Sequence, residues 1–244
     1  MKTGVIIQAR MGSTRLRGKV LMKINKKTVL NHVIDRVKKC KYIDDIIVAT
    51  TKLKKDDTII NELNNLKVKY FRGSEENVLS RYYEAAKYYN LDPIIRITAD
   101  CPLIDPNIID DIIRFYIEND YELVTNAPND LSQRTYPRGL DVEIFSFKML
   151  EEAHLKTTKD YEKEHVTPYM YENNKKIYVY KNDVDYSKYR LTLDTKEDYM
   201  FIQCVYENLY ENNKFFSMKE IIDFLKGNQD IVNINKDIKQ KNIK

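Results

Sequence analysis

Three observations predict an α/β fold of three layers, with helices on both faces of a mostly parallel central sheet. Short β-branched apolar runs alternate with longer amphipathic ones through the first half of the chain. At 244 residues the chain is long enough for a sizeable core and short enough for one domain. Glycine and proline are sparse, 6 of each, and no linker, internal repeat or low-complexity block interrupts the pattern.

The elements follow in order. "GVIIQA" (4–9) reads as a buried strand because it is short, apolar and β-branched. "TVLNHVIDRVKKC" (28–40) puts Val29, Leu30, Val33, Ile34 and Val37 on one helical face, with Thr28 as N-cap. "DDIIVATT" (44–51) is a second strand, and "DDTIINELNNL" (56–66) a helix opened by acidic residues that suit its dipole. "VKYFRG" (68–73) is a third strand. "ENVLSRYYEAAKYYN" (76–90) is a helix with Val78, Leu79, Tyr82, Ala85, Ala86 and Tyr89 inward. "PIIRITADCPLI" (93–104) is a fourth strand and its exit, and "PNIIDDIIRFYIEND" (106–120) a helix with proline in its first turn. "YELVTNA" (121–127) completes the alternation.

Beyond residue 127 the rhythm changes. Turn formers precede the alternating "LDVEIFS", which predicts a loop and a strand. Helices are predicted at 147–158 and 160–174, strands at "KIYVYKN" and "KYRLTLDT", and helices at 196–210 and 217–227. A single domain is expected over residues 1–228, with 229–244 as a polar tail.

Composition excludes several classes. No apolar run approaches the roughly 20 residues of a membrane span, and the N-terminus lacks the layout of a secretory signal. Cys40, Cys101 and Cys204 are far apart and odd in number, so a disulfide scaffold or zinc module is not expected and a reducing cytoplasm is. Residues 1–34 hold eight Lys/Arg and no acidic residue, whereas the remainder sets 33 Lys/Arg against 37 Asp/Glu. Nucleic-acid binders spread basic residues along an extended face. Here the excess gathers around one loop, which suits a compact anion; the alternative is a solvated face.

That loop is "IIQARMGSTRLRGK" (6–19). It follows a strand and precedes a helix, the place where phosphates bind in open α/β sheets. Five residues separate Gly12 from Gly18 and Val20 follows Lys19, so it is not a Walker A loop, and no G-x-G-x-x-G exists. Backbone N–H groups around Gly12, Ser13 and Thr14, with Arg15 and Lys19 as charge clamps, would serve instead. At 96–105, "RITADCPLID" ends a strand at Asp100, on the sheet edge that carries the loop. A carboxylate beside a triphosphate implies Mg²⁺; the other reading is a cap of the turn before Pro102. "RLTLDTKEDY" repeats the pattern at Asp194, either a second Mg²⁺ ligand or the N-cap of the helix from Lys196. No G-x-S-x-G, HExxH or metal-type Cys/His spacing occurs. Of the three histidines, His32 is expected at the surface, His154 has no evident partner, and His165 carries the functional expectation.

"IIQARMGSTRLRGKVL", "RGSEENVLSRYYEAA", "RITADCPLIDP", "YPRGLDVEIF", "EHVTPYMYEN" and "RLTLDTKEDY" closely resemble the spore coat polysaccharide biosynthesis protein F family. That family is related to CMP-KDO synthetase and acylneuraminate cytidylyltransferase, which share an AR-x-x-S-x-R-L-P-G-K loop. The resemblance spans residues 4 to about 225. It implies a Rossmann-like nucleotidyltransferase fold of GT-A-like type and transfer of CMP from CTP to a sugar or sugar-phosphate-like acceptor in surface glycan synthesis. It further implies that Arg10, Ser13, Arg15 and Lys19 grip the CTP phosphates and that Arg72, Ser74 and Asn77 contact base or ribose. Asp100 and Asp194 would hold Mg²⁺, and Tyr136, Arg138, Asp141, Glu143 and His165 would face the acceptor. The related synthetases are often dimers, so a homodimer is expected. The loop's usual proline is Arg17 here, which removes a φ restriction and adds a cation. Two other classes are the alternatives: a nucleotide-sugar glycosyltransferase, whose D-x-D would be "DVD" at 183–185, and a non-catalytic nucleotide-binding module.

Overall fold

The computed structural model describes residues 2–240. Its sheet has seven strands in the order β5-β4-β1-β6-β8-β7-β9. β1 (Gly4–Gln8), β4 (Asp45–Thr51), β5 (Lys69–Gly73) and β6 (Ile94–Thr98) run parallel. β8 (Glu143–Phe145) is antiparallel to both β6 and β7 (Leu123–Thr125), and β9 (Ile177–Val179) pairs parallel with β7. The sheet is therefore mixed and mostly parallel, as the alternation in the sequence predicts.

Period-two alternation divides the core between two faces. Val5 and Ile7 of β1 join Val48, Ile95 and Ile97 under α1 (Val29–Val37), α2 (Asp57–Leu66), α4 (Pro106–Glu118), α8 (Lys196–Leu209) and α9 (Met218–Gly227). Ile6, Ile47 and Ala49 face the other way, against α3 (Val78–Tyr89), α5 (Phe147–Lys156) and the neighbouring Val166 and Met170. Burying both faces is what near-continuous apolar strands require. From β1 the chain winds outward through β4 to β5, then α3 carries it back to β6 on the other side of β1. The strand order thus reverses at β1, and the crevice outside the carboxyl ends of β1 and β6 is the expected ligand position in such sheets.

Four departures from the sequence reading have physical causes. The loop after β1 does not lead directly into a helix. A short 3₁₀ turn (Lys19–Leu21) and a two-stranded ribbon, β2 (Lys23–Ile24) and β3 (Lys27–Thr28), come first. Asn25 and Lys26 at the ribbon's tip both have positive φ, which a two-residue hairpin of this hand demands. The helix expected over 160–174 is two helices, α6 (Asp160–His165) and α7 (Pro168–Asn173), broken at Val166 (φ 72°) because Pro168 offers no N–H to continue the first. The strand expected at 188–195 is extended chain that pairs only through a single bridge, Arg138 with Arg190. Gly139 makes that approach feasible: a Cβ there would lie 2.5 Å from the backbone of Leu191 and Thr192, and its φ is +101°. Finally, 229–240 is more than a polar tail. It forms α10 (Gln229–Asn233) and buries Asn235; residues 241–244 lie outside the described residues.

His32 is also relocated. The sequence places it at the surface, but it is 2% exposed, donates from Nε2 to the Ile24 carbonyl at 2.7 Å, and packs on Tyr206 and Tyr210. The ribbon and α8 cover the face of α1 that the sequence leaves open.

Candidate active site

Lys19 is the centre of the crevice. Gly18 takes the left-handed conformation (φ 67°) and its N–H donates to the Met11 carbonyl, so the loop closes on itself and turns Lys19 inward. Asp56, fully buried at the start of α2, fixes the loop from behind by accepting the Met11 N–H at 2.7 Å. Ser13 Oγ accepts the Leu16 N–H within the loop, while Thr14 is exposed. The Lys19 ammonium donates to Asp100 Oδ2 at 2.7 Å, the Leu193 carbonyl at 2.8 Å and Asp194 Oδ1 at 3.1 Å. Its three N–H groups are all used, and they join the exit of β6 to the segment before α8.

The two aspartates are held differently. Asp100 also accepts the Thr98 hydroxyl at 2.6 Å. Burial alone would raise its pKa, but Lys19 and Thr98 outweigh it and hold the carboxyl below the usual range. Asp194 pairs with Arg15 as well as Lys19. It is not the N-cap of α8. Thr195 is, in a capping box with Asp198. Asp194 is thus free of the helix-capping work that offered the alternative reading, and both aspartates face cations. Arg15 also donates to the Lys239 carbonyl at 3.2 Å.

The other sequence-predicted residues fall in three places. Arg10 and His165 come together in a cleft of about 140 Å³ with Gln8, Ala9, Val78, Arg81 and Glu164. Two atoms of its lining, Gln8 Oε1 and Arg81 Nε, are buried without a hydrogen-bond partner among the described residues. Burial, with Arg10 nearby, lowers the Arg81 guanidinium to about 10. Arg72, Ser74 and Asn77 lie at the start of the same region, but their side chains serve the chain itself. Arg72 donates to the Thr51 and Leu53 carbonyls and pairs with Asp57, Ser74 Oγ accepts the Asn77 N–H, and Asn77 caps α3. In the third place, Tyr136 is buried beside Tyr180, Asp141 pairs with Arg134, and Arg138 is half-buried, its pKa lowered by burial and by Arg134. Glu143 is 4% exposed. It pairs with Arg96 and accepts the Tyr171 hydroxyl at 3.0 Å.

Sequence reasoning missed Asp56, Lys55 and Glu75. The Lys55–Glu75 ion pair (2.6 Å) lies directly over Gly12, where an added Cβ would come 2.9 Å from Glu75 Oε1. No local signal marks such a pair, since its partners are brought together only by the β4–β5 register. The "DVD" at 183–185 lies in an exposed turn, with Asp185 accepting the Ser187 N–H.

A family model, Cytidylyltransferase, matches residues 4–238. The chain belongs to the cytidylyltransferase family. It is accordingly a nucleotidyltransferase enzyme, as the loop and strand-end motifs imply. An uncharacterized protein of Methanocaldococcus jannaschii is 41% identical over 99% of this chain and 97% of its own. The spore coat polysaccharide biosynthesis protein SpsF of Bacillus subtilis is 33% identical over 92% of this chain and 94% of its own. A solved cytidylyltransferase structure from Leptospira borgpetersenii superposes with a TM-score of 0.89 at 38% identity, covering 99% of this chain and all of that one. Among the described residues no helix is long and apolar enough to cross a membrane.

Proposed function

We propose that the protein transfers CMP from CTP to an oxygen of a sugar or sugar-phosphate acceptor, with release of pyrophosphate, in the synthesis of surface-glycan precursors. The observation that carries this reading is the meeting of Lys19, Asp100 and Asp194 at the strand-order reversal, in a chain of this family. The B. subtilis relative, named for spore coat polysaccharide synthesis, supports the glycan assignment.

The acceptor oxygen attacks the α-phosphorus, the bond to the β-phosphate oxygen breaks, and pyrophosphate carries the charge away, taking up the acceptor's proton where the attacking oxygen is a hydroxyl. Such transfers need positioning and neutralisation more than a protein nucleophile. Arg15 and Lys19, the loop cations that reach the two aspartates, would stabilise the departing charge. Asp100, held ionised below the usual carboxylate range, suits charge binding better than proton storage.

The residues present fit Mg²⁺. Hard oxygen donors from two aspartates already converge on one cationic group, and Mg²⁺ takes one or two protein carboxylates, leaving its other positions to phosphate and water. Among the described residues no cluster of three or more His, Cys, Asp or Glu suggests a fuller cage. When bound by Asp100 and Asp194, the ion would supply Lewis-acid polarisation of the α-phosphate. The free cysteines fit a reducing cytoplasm, and a homodimer belongs to the same proposal, checked by sedimentation.

The test is thermal stability with CTP, UTP, ATP, GTP or dTTP, with and without Mg²⁺. CTP at about 100 times its dissociation constant should add about 2.7 kcal/mol, which raises the melting temperature by roughly 5–10 °C for a chain of this size. A shift with UTP or ATP in place of CTP overturns the nucleotide assignment, and no shift with any triphosphate overturns the site.

A further inference from the structure

Asp198 is fully buried, yet its carboxylate does far more than complete the capping box of α8. Oδ1 accepts Arg190 Nε at 2.8 Å and Asn235 Nδ2 at 3.0 Å. Oδ2 accepts Arg190 Nη2 at 2.9 Å and the backbone N–H groups of Asp194 and Thr195 at 2.9 and 3.0 Å. A capping box accounts for one of these five bonds. The other four tie Asp198 to the extended chain at 190, to the turn at 194 and to the chain after α10, of which only the last is remote in sequence.

Asn235, 3% exposed, closes the triangle by donating to the Arg190 carbonyl at 3.1 Å as well. Five residues on, Gln240 Oε1 accepts Arg190 Nη1 at 2.9 Å, and Lys239 offers its carbonyl to Arg15. The chain after α10 therefore touches both flanks of Asp194, one through the Asp198–Arg190 pair and the other through Arg15.

We propose that Asp198 and Asn235 are positioning residues for Asp194, and that residues 235–240 are a working part of the nucleotide site. The physical reason is leverage. Asp194 belongs to no regular element, so neither a sheet ladder nor a helix fixes its backbone; the buried carboxylate does, by accepting the N–H groups of Asp194 and Thr195. An Asp194 so fixed meets Lys19 and Arg15 in one arrangement, whereas a loose one would have to be ordered on binding. This inference rests on the proposed CTP and Mg²⁺ reading of the same site.

The experiment measures CTP affinity calorimetrically for the full chain and for Asp198→Asn, Asn235→Ala and Gln240→Ala, each with Mg²⁺ and with chelator. The ligand-free melting temperature and amide exchange at 194 and 195 are followed in parallel. Loss of an outer-shell partner costs roughly 10–100-fold in metal-dependent affinity. Asp198→Asn should lose that much in Mg²⁺ and little in chelator, with Asn235→Ala moving the same way by less and both speeding exchange at 194 and 195. Asp45→Asn, which loosens Lys2 and Lys69 at the opposite end of the sheet, should lower the melting temperature and leave the Mg²⁺-dependent affinity alone.

Equal losses with and without Mg²⁺ would mean a purely structural role and overturn the proposal, as would wild-type affinity in the variants. Should Asp198→Asn not fold, the milder Asn235→Ala and Gln240→Ala decide the matter. Failure of the wild-type chain to bind CTP sinks the functional reading instead; exchange rates at 194 and 195 unaltered in Asn235→Ala sink this one whatever the nucleotide.

Discussion

Asp100 and Asp194 meet at one ammonium group but reach it from regions built in different ways. Asp100 stands two residues beyond β6, a strand laddered to β1 and β8, so the sheet itself carries it to the crevice. Asp194 stands in irregular chain and is placed by side chains: Asp198 from α8, Arg190 from the preceding segment and Asn235 from beyond α10. A ladder repeats a backbone pattern and survives most single substitutions, whereas a side-chain lattice concentrates the same task in a few buried polar groups. The N-terminal half is accordingly the scaffold of the site, and the second half is its adjustable wall.

The largest effect should follow loss of the group that joins them. Lys19→Ala leaves two carboxylates facing each other without their shared cation, and the cationic clamp on the leaving group is gone. Turnover, followed as pyrophosphate release, should fall by roughly 10²–10³-fold or more, the scale for one lost charge-stabilising donor. Lys19→Arg should not restore it, because a planar guanidinium cannot serve three acceptors arranged around an ammonium. Activity within tenfold of wild type in either variant would break the comparison at its centre.

Next comes the seam where the parallel region gives way to the mixed one. β8 reverses the strand direction beside β6, and Glu143 on β8 pairs with Arg96 on β6. Burial alone would lower the Arg96 guanidinium, but Glu143 beside it outweighs that and holds it above its ordinary value. Glu143→Ala strands both the guanidinium and the Tyr171 hydroxyl. Breaking a buried pair this way costs about 3–5 kcal/mol, or a melting temperature lower by roughly 10 °C. A loss of CTP turnover with unchanged stability would contradict this and return Glu143 to the acceptor-facing role that family resemblance assigns it.

A third test separates the two regions by helix caps. Thr195 caps α8 beside Asp194, and Ser217 caps α9 with an equivalent box remote from it. Removing either hydroxyl with alanine should cost about 1 kcal/mol. Only Thr195→Ala should also weaken CTP binding, since the lost hydroxyl accepts the Asp198 N–H and Asp198 in turn holds the Asp194 N–H. Equal CTP affinity in the two variants would show that Asp194 does not depend on the helix start.

The same contrast explains what the sequence reveals. Strands and helices of the first half announce themselves through period and caps, and Thr28, Asn77 and Asp105 cap as N-cap chemistry dictates. Gly12, Gly18, Lys19 and Asp100 are legible because strand-end placement is a local property. Asp56, Asp198 and Asn235 are not, because their partners lie 45, 8 and 45 residues away or are backbone groups, and no periodicity encodes such meetings. The 23–28 ribbon hides behind Asn25 and Lys26, a turn pair less telling than Asn-Gly. His32 follows from that miss, since the ribbon is what covers it.

His32 also offers the gentlest probe. Burial against Tyr206 and Tyr210, with Lys27 and Arg36 nearby, lowers its pKa below the ordinary 6.5, although the Ile24 carbonyl and Asp35 pull the other way. A group whose folded pKa is depressed binds its proton more readily in the unfolded chain. Its stabilising contribution is therefore full above about 6.5 and is lost as pH falls through that value toward the folded one. The denaturant midpoint should drop between pH 7.5 and 5.5, and His32→Gln should flatten that slope at a lower overall stability. An unchanged slope in His32→Gln would mean that the ribbon over α1 opens enough to let water solvate the imidazolium, and that the wall near Lys19 is looser than its hydrogen bonds indicate.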